Sequence, residues 1–514
     1  LARVGAQDNA QRLGFGLRLR NAHHPDQRLR FGAYQLRYKG EIWERGAFYE
    51  PDVLSDDEIA TLRQVIDGEA SISDERVALR TRAEFVDEVF YRSAKEVGGQ
   101  IVGFNLPFDL SRLAIRHASA RRSMKGGFSL TLSENWPPVA VKHLSQRAAL
   151  IRFTGDRPAA ENPEEEESDD DSDVEIPDET EKKPGPDRGY FVDIKTLTAA
   201  LTSKSHSLAS LSGLIKVPTP KKASDEHGGP LTPDYVRYGL RDVQTTWECF
   251  DVLKRRFDSF GLRDTGLYDL YSEASLGKAY LRTMGIKPWQ EAQRGFPLHL
   301  VGAIMSAYFG GRAEVHIRRQ ITPVVHTDFL SMYPTVCTLM GLWNFVRANG
   351  VTYRDDTSAV TALLAKSREE LAEHFRTKGG WKDLASLVQV RPKNDLFPIR
   401  ARYPGHDTLN IGLNYLTADE PQWFTLADVL ASKVLTARAP EVIKALRFSP
   451  KGQQKGLKSI EIAGQAINPA TGDFYQRLII HRNAIKANDK RAFETDNKPS
   501  RSSPTRRATE FSPS

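Results

Sequence analysis

Cysteine is nearly absent: Cys249 and Cys337 are the only two among 514 residues. Two thiols so far apart exclude a disulfide framework or a cysteine-rich structural zinc site and suit a reducing cytosol, so a cytoplasmic protein is expected. Any metal must then be held by oxygen ligands. Long apolar runs are missing too, none approaching the ~20 residues a bilayer span needs, so no membrane segment is expected. Basic residues are missing from one stretch, Glu161 to Glu181, which holds 13 acidic side chains. Set against the overall formal charge of +6, this leaves +19 on the rest of the chain. A body that basic favours polyanions such as nucleic acid. The first residue, Leu1, suggests a fragment or an alternative start, and no signal peptide is recognisable after it.

What is present is ordinary soluble composition, 40% hydrophobic and 27% charged, over a length that predicts two to four domains. Near the start stands a near-repeat, "QRLGFGLRLR" at 11–20 and "QRLRFGAYQLRYKG" at 27–40. The second copy alternates like a strand and leads into "EIWERGAFYEP", the next strand of a hairpin. Two copies are too few for a solenoid and point to a local duplication or a sequence error. A helix is expected over roughly 74–97, then a short strand, "QIVGFN". Residues 157–187 form an acidic low-complexity loop that cannot bury enough apolar surface to order itself. Strand patterns on both sides, "AALIRF" and "GYFVDIKTL", make it an insertion within one domain. Residues 232–257 read as one long helix with Thr232 as cap and Pro233 in the first turn. "YSEASLGKAYLRTMGI" is helical as well, and "YFGGRAEVHI" is a glycine-broken turn into a strand.

Three carboxylates stand out. "IVGFNLPFDL" places Asp109 after a strand, four residues beyond Asn105 and next to Phe108. "YGLRD" places Tyr238 and Asp242 one turn apart on the long helix, hence on one face. "HTDFLSMYPTV" sets Asp328 at the end of an apparent apolar strand, "ITPVVHTDF", ahead of Ser331 and Tyr333. Taken singly, each aspartate has a plain reading as a cap or turn former. In order and with their flanks they resemble the family B DNA polymerases: "N-x-x-F-D" and "Y-x-x-x-D" as the second and third exonuclease motifs, "D-F-L-S-M-Y-P" as polymerase motif A. "YFGGR", Tyr308 to Arg312, resembles the "YxGG" element that links the two active sites. The resemblance covers roughly residues 27–490.

The resemblance implies an α/β chain with an RNase H-like 3′→5′ exonuclease domain over 1–260. The start of an α+β polymerase palm follows over 261–345, then a mainly helical insertion over 346–475. The fingers begin at 476–498, and a disordered tail occupies 499–514. It implies DNA-directed DNA polymerase activity with proofreading, on a primer-template or single-stranded DNA with deoxynucleoside triphosphates. The chemistry would be two-metal catalysis with Mg²⁺, which activates the nucleophile and stabilises the leaving oxygen. Asp109 and Asp242 would hold exonuclease metals, Tyr238 would orient the attacking water, and Asp328 would hold the palm metals. Asn105, Phe108, Tyr308, Gly310, Gly311 and Arg312 would touch DNA, Ser331 and Tyr333 would lie beside the sugar, and Arg482 and Lys486 would grip the triphosphate. Asp193, in "FVDIKTL", is no ligand in the family pattern and reads as structural.

Two expected motifs are missing from the sequence. No "D-T-D-S" supplies a second palm carboxylate, and no "D-x-E" precedes the first hairpin, where only Asp8 and Asp26 are near. Nucleotide addition by this polypeptide alone is therefore not expected, and exonuclease activity should be absent or very low. Alternatives are a non-catalytic nucleic-acid-binding remnant of such a polymerase or a stand-alone DnaQ-like nuclease.

Overall fold

The computed structural model describes residues 13–21, 28–154, 189–222, 229–310, 317–327, 329, 331–377, 379–402, 409–462 and 465–488. For 13–21, 465, 481, 482 and 484–488 only the backbone is described. The acidic stretch 157–187, the tail 499–514, Asp8, Asp26, Gly311, Arg312 and Asp328 lie outside the described residues. The chain divides into two units, Leu1–Tyr280 and Leu281–Ser514, each a mixture of helices and strands.

In the first unit, both copies of the near-repeat become strands. β1 (Leu13–Asn21) pairs antiparallel with β2 (Leu29–Tyr38), which forms the expected hairpin with β3 (Glu41–Tyr49). Helix α1 (Asp56–Ser71) begins at a capping box between Ser55 and Glu58, which satisfies two of the first turn's orphan donors. β4 (Arg76–Thr81) then runs parallel to β3. The helix expected over 74–97 thus opens with a strand, because "RVALRT" finds a partner in β3 and pairing overrides helical propensity. The helix starts only at the Thr81–Glu84 capping box; after Glu84 it widens into π-helical turns over Phe85–Glu96 and forms α2 (Arg82–Glu96).

β5 (Gln100–Gly103) lies parallel to β1, and β10 (Tyr190–Asp193) lies parallel to β5 on the far side. The sheet order is β10-β5-β1-β2-β3-β4. Between β5 and β10 the chain forms helix α3 (Leu106–Leu113) and a second sheet of β6 (Arg116–Ser119), β7 (Phe128–Thr131), β8 (Val139–Ser145) and β9 (Ala148–Phe153). Phe153 at the end of β9 meets Phe191 of β10 edge to face at 5.1 Å, so the flanks of the acidic stretch belong to one core. After β10 come α4 (Ile194–Thr202), α5 (Leu208–Leu214) and the long α6 (Pro233–Asp258), the last with Thr232 as N-cap as expected.

Alternation along β5 sends Ile101 and Val102 to opposite faces. Ile101 joins Tyr34, Phe48, Phe85 and the leucines of α3, while Val102 joins Cys249, Phe250 and Leu253 of α6. Phe48 and Phe85 stack at 3.8 Å within the first of these cores. The meander tolerates no side chain at Gly46, whose added Cβ would fall 1.9 Å from the Ala78 carbonyl oxygen of β4. Gly46→Ala is therefore expected to separate β3 from β4 and to lower stability by about 3 kcal/mol in urea unfolding. A loss below about 0.5 kcal/mol, the range of neutral surface changes, would mean that the edge strand contributes little.

The second unit is built on an antiparallel sheet, β11 (Gly350–Asp355), β16 (Glu441–Lys451), β12 (Ser386–Arg391) and β15 (Gln422–Thr425), in the order β11-β16-β12-β15. β13 (Lys393–Ala401) and β14 (Asn410–Thr417) form a hairpin, and β17 (Ile460–Ile462) pairs with β18 (Gln465–Ile467). The mainly helical insertion expected over 346–475 is corrected here, because the segment holds more strand than helix. Its helical spacing is confined to α9 (Thr357–Ala365), α10 (Arg368–Arg376) and α11 (Leu426–Thr436), which follow α7 (Leu298–Ser306) and α8 (Met332–Met340). Runs such as "SLVQVR" alternate, and β12 buries its apolar residues on both faces. The last described element is the helix α12 (Phe474–Asn488).

Candidate functional site

The first unit holds Asn105, Phe108, Asp109, Tyr238 and Asp242. Asn105 adopts a left-handed conformation (φ 69°) directly after β5, which asparagine tolerates better than most residues, and this reverses the chain into α3. Asp193, at the end of β10, fixes that reversal: its Oδ1 accepts hydrogen bonds from the backbone N–H of Asn105 (2.7 Å) and of Leu106 (3.0 Å). Its Oδ2 accepts from the Thr196 N–H (3.1 Å) and hydroxyl (2.6 Å), capping α4. The structural reading of Asp193 therefore holds, and its task is to place the helix that carries Asp109. Asp109 is only 1% exposed, while the neighbouring Phe108 is open to solvent with the Arg112 guanidinium 5.0 Å from its ring.

Tyr238 and Asp242 share one face of α6 as their spacing requires. Asp242 is 1% exposed, and Tyr238 stacks on Tyr235 at 6.0 Å. Beside them stands a residue that no sequence motif marks, Lys221, whose Nζ lies 2.7 Å from Asp242 Oδ2 and 5.3 Å from the centre of the Tyr238 ring. Its loop is tied at several points. The Thr219 N–H donates to Glu248 (2.7 Å), the Thr219 carbonyl accepts from the Thr245 hydroxyl (2.7 Å), and the Lys221 N–H donates to Ser212 Oγ (3.2 Å). A lysine in "KVPTPKK" carries no periodic or spacing signal, so only the tertiary structure singles it out. Cys249, on the same helix, is no nucleophile, because burial, aided by Glu248, pushes its thiol up to about 12.

α3 and α6 both pack on β1 and β5 but cover opposite faces of the sheet. β1 contributes no acidic residue, and Leu17 stands level with Gly103 of β5, itself level with Asp193. Among the described residues no group of three or more His, Cys, Asp or Glu side chains could hold a metal ion. This donor set does not fit a pair of Mg²⁺ ions, which require several carboxylate oxygens and tolerate no ammonium in their inner shell.

In the second unit, Tyr308 is exposed and its carbonyl accepts from the Arg400 guanidinium, which also stands 4.6 Å from the Phe309 ring. Gly310 has a positive φ of 70°, in keeping with a glycine turn. The apolar strand read in "ITPVVHTDF" does not form over 321–327: Ile321, Val324 and Val325 are exposed, and no strand pairs with them among the described residues. An extended segment becomes a strand only against a neighbour, and Pro323 removes one of its donors. Ser331 is left-handed (φ 51°) at the start of α8, and Tyr333 on its first turn is exposed. Arg482 and Lys486 fall one turn apart on α12, as their spacing requires. No helix among the described residues is long and apolar enough to cross a membrane.

Neither protein-family models nor curated proteins match the sequence. Among solved structures, the chain is similar to Phi29 DNA polymerase complexed with primer-template DNA (post-translocation binary complex), at a TM-score of 0.42 and 12% sequence identity. The match covers 93% of this chain and 64% of that polymerase, so the chain spans less than two thirds of its length.

Proposed function

We propose that the chain is a DNA-binding protein of the family B polymerase type, which engages primer-template or single-stranded DNA and whose exonuclease-like unit binds rather than cleaves. The observation that carries this reading is the placement of Asp109 and Asp242. Both carboxylates are buried, they belong to motifs in the family's order, and they sit on helices covering the two faces of β1 and β5. Fully buried aspartates are rare without a structural or chemical task. The sheet supports an RNase H-like domain, since an antiparallel meander, β1 to β3, is followed on the β1 side by the parallel β5 and β10. Within the same reading, Tyr308 to Arg312 contact the template, Ser331 and Tyr333 border the sugar, and Arg482 and Lys486 face a triphosphate. Asp328 is then a palm carboxylate, and nucleotide addition needs a second, for which this sequence has no "D-T-D-S" motif.

The test is fluorescence anisotropy with labelled primer-template and single-stranded oligonucleotides of several sequences. Because the +19 outside the acidic stretch acts through phosphates, binding should show no sequence preference and weaken on the order of 10³-fold between low and physiological salt. The 3′ ends should remain intact in Mg²⁺. Undetectable binding at low salt, or affinity indifferent to salt, would sink the reading.

A further inference from the structure

We infer that the Lys221 ammonium is the resident cation of Asp242 and stands where a divalent ion would otherwise sit, so that the exonuclease-like site is metal-independent. The inference uses the proposed function only to identify the displaced ion; the pairing itself is independent of it. A carboxylate that is 1% exposed needs a positive partner, and Lys221 supplies one at 2.7 Å from a side chain itself only 17% exposed. The ammonium is not a chance surface contact. Its backbone is bonded to Ser212, and two residues earlier Thr219 is bonded to Glu248 and Thr245, the latter two on the helix that carries Asp242. The Tyr238 ring gives the same ammonium a second favourable face at 5.3 Å. An Mg²⁺ or Mn²⁺ ion at Asp242 would have to displace this lysine and leave a buried ammonium unpaired, or lie against it at like charge. It would also find no carboxylate on β1, which runs Leu-Gly-Phe-Gly-Leu-Arg-Leu-Arg-Asn.

The experiment follows thermal unfolding of the full chain in excess EDTA and in millimolar Mn²⁺, with Mn²⁺ titration calorimetry on the same samples. For the unsubstituted protein, Mn²⁺ should leave the unfolding midpoint unchanged, and any Mn²⁺ uptake should survive Asp242→Asn, showing that it belongs to another site. Lys221→Met should lower the midpoint in EDTA by roughly 5–10 °C, and Mn²⁺ should restore part of that loss, because the carboxylate, relieved of the ammonium, now binds the ion. If Lys221→Met does not fold, the double variant Lys221→Met/Asp242→Asn decides: lacking both charges, it should fold and melt above either single variant. Micromolar Mn²⁺ binding to the unsubstituted protein that Asp242→Asn abolishes would overturn the inference. So would a Lys221→Met midpoint that neither falls in EDTA nor responds to Mn²⁺, or a double variant no more stable than the singles. None of these outcomes depends on DNA binding, so failure here and failure of the proposed function are told apart.

Discussion

Asp193→Ala is expected to destabilise the first unit by about 3 kcal/mol or more, because it orphans several buried donors at once, each costing roughly 1–3 kcal/mol. The carboxylate accepts from Asn105, Leu106 and Thr196, and the Thr196 hydroxyl in turn accepts from the Ala149 N–H of β9 at 3.2 Å. One side chain thereby ties β10, β9, α4 and the left-handed turn before Asp109. Asp193→Asn should cost roughly half as much, since its amide keeps one acceptor oxygen and loses the other. Urea unfolding measures the loss, and amide exchange over 105–113 locates it: protection in α3 should fall more than protection in β2 and β3. A loss under about 0.5 kcal/mol, or exchange that rises evenly across the sheet, would show that the turn before Asp109 holds by itself.

Asp193 also marks how far the sequence could be read. A strand, an aspartate and a helical run announce a cap, and the cap is there; the hairpin and the long α6 were readable for the same reason, since period and capping are local signals. The aspartate's second task, on Asn105 and Leu106, joins residues far apart in the chain and left no local trace. The readings that failed depended on neighbours. "RVALRT" is a strand because β3 lies beside it, and "ITPVV" is not one because no strand does among the described residues. Lys221 was unreadable because its partner is chosen by how a loop is tied to α6. Over 346–475 the helix was implied by the resemblance and not by a local period, and in the fold several charged residues of this segment tie strands to one another or to the start of a helix, as Arg391 on β12 does with Glu441 on β16.

Arg447 is the clearest of these and predicts a loss of about 3–5 kcal/mol in the second unit on Arg447→Met, the usual cost of removing one partner from a buried ion pair. From β16 its Nε donates to Asp356 Oδ2 and its Nη2 to Asp383 Oδ1, each at 2.8 Å, and Nη1 donates to the Lys382 carbonyl at 3.2 Å. Asp356 is buried at the start of α9, with its own N–H bonded to the Ala445 carbonyl of β16 at 2.9 Å, and Asp383 passes the contact on to His374 Nε2 at 2.8 Å. The planar guanidinium suits this task because it reaches two carboxylates and a carbonyl in one plane. Arg447→Lys retains the charge but loses the planar fork of donors aimed at both carboxylates and the carbonyl, so it should recover less than half of the loss. Arg447→Met/Asp356→Asn should cost clearly less than the sum of its single substitutions, because the second change removes the carboxylate that the first leaves buried and unpaired. Denaturant unfolding with exchange read out over 386–391 and 441–451 checks all three variants. If the double variant is simply additive, Asp356 and Arg447 do not act as a pair, and the second sheet holds together through its apolar contacts alone.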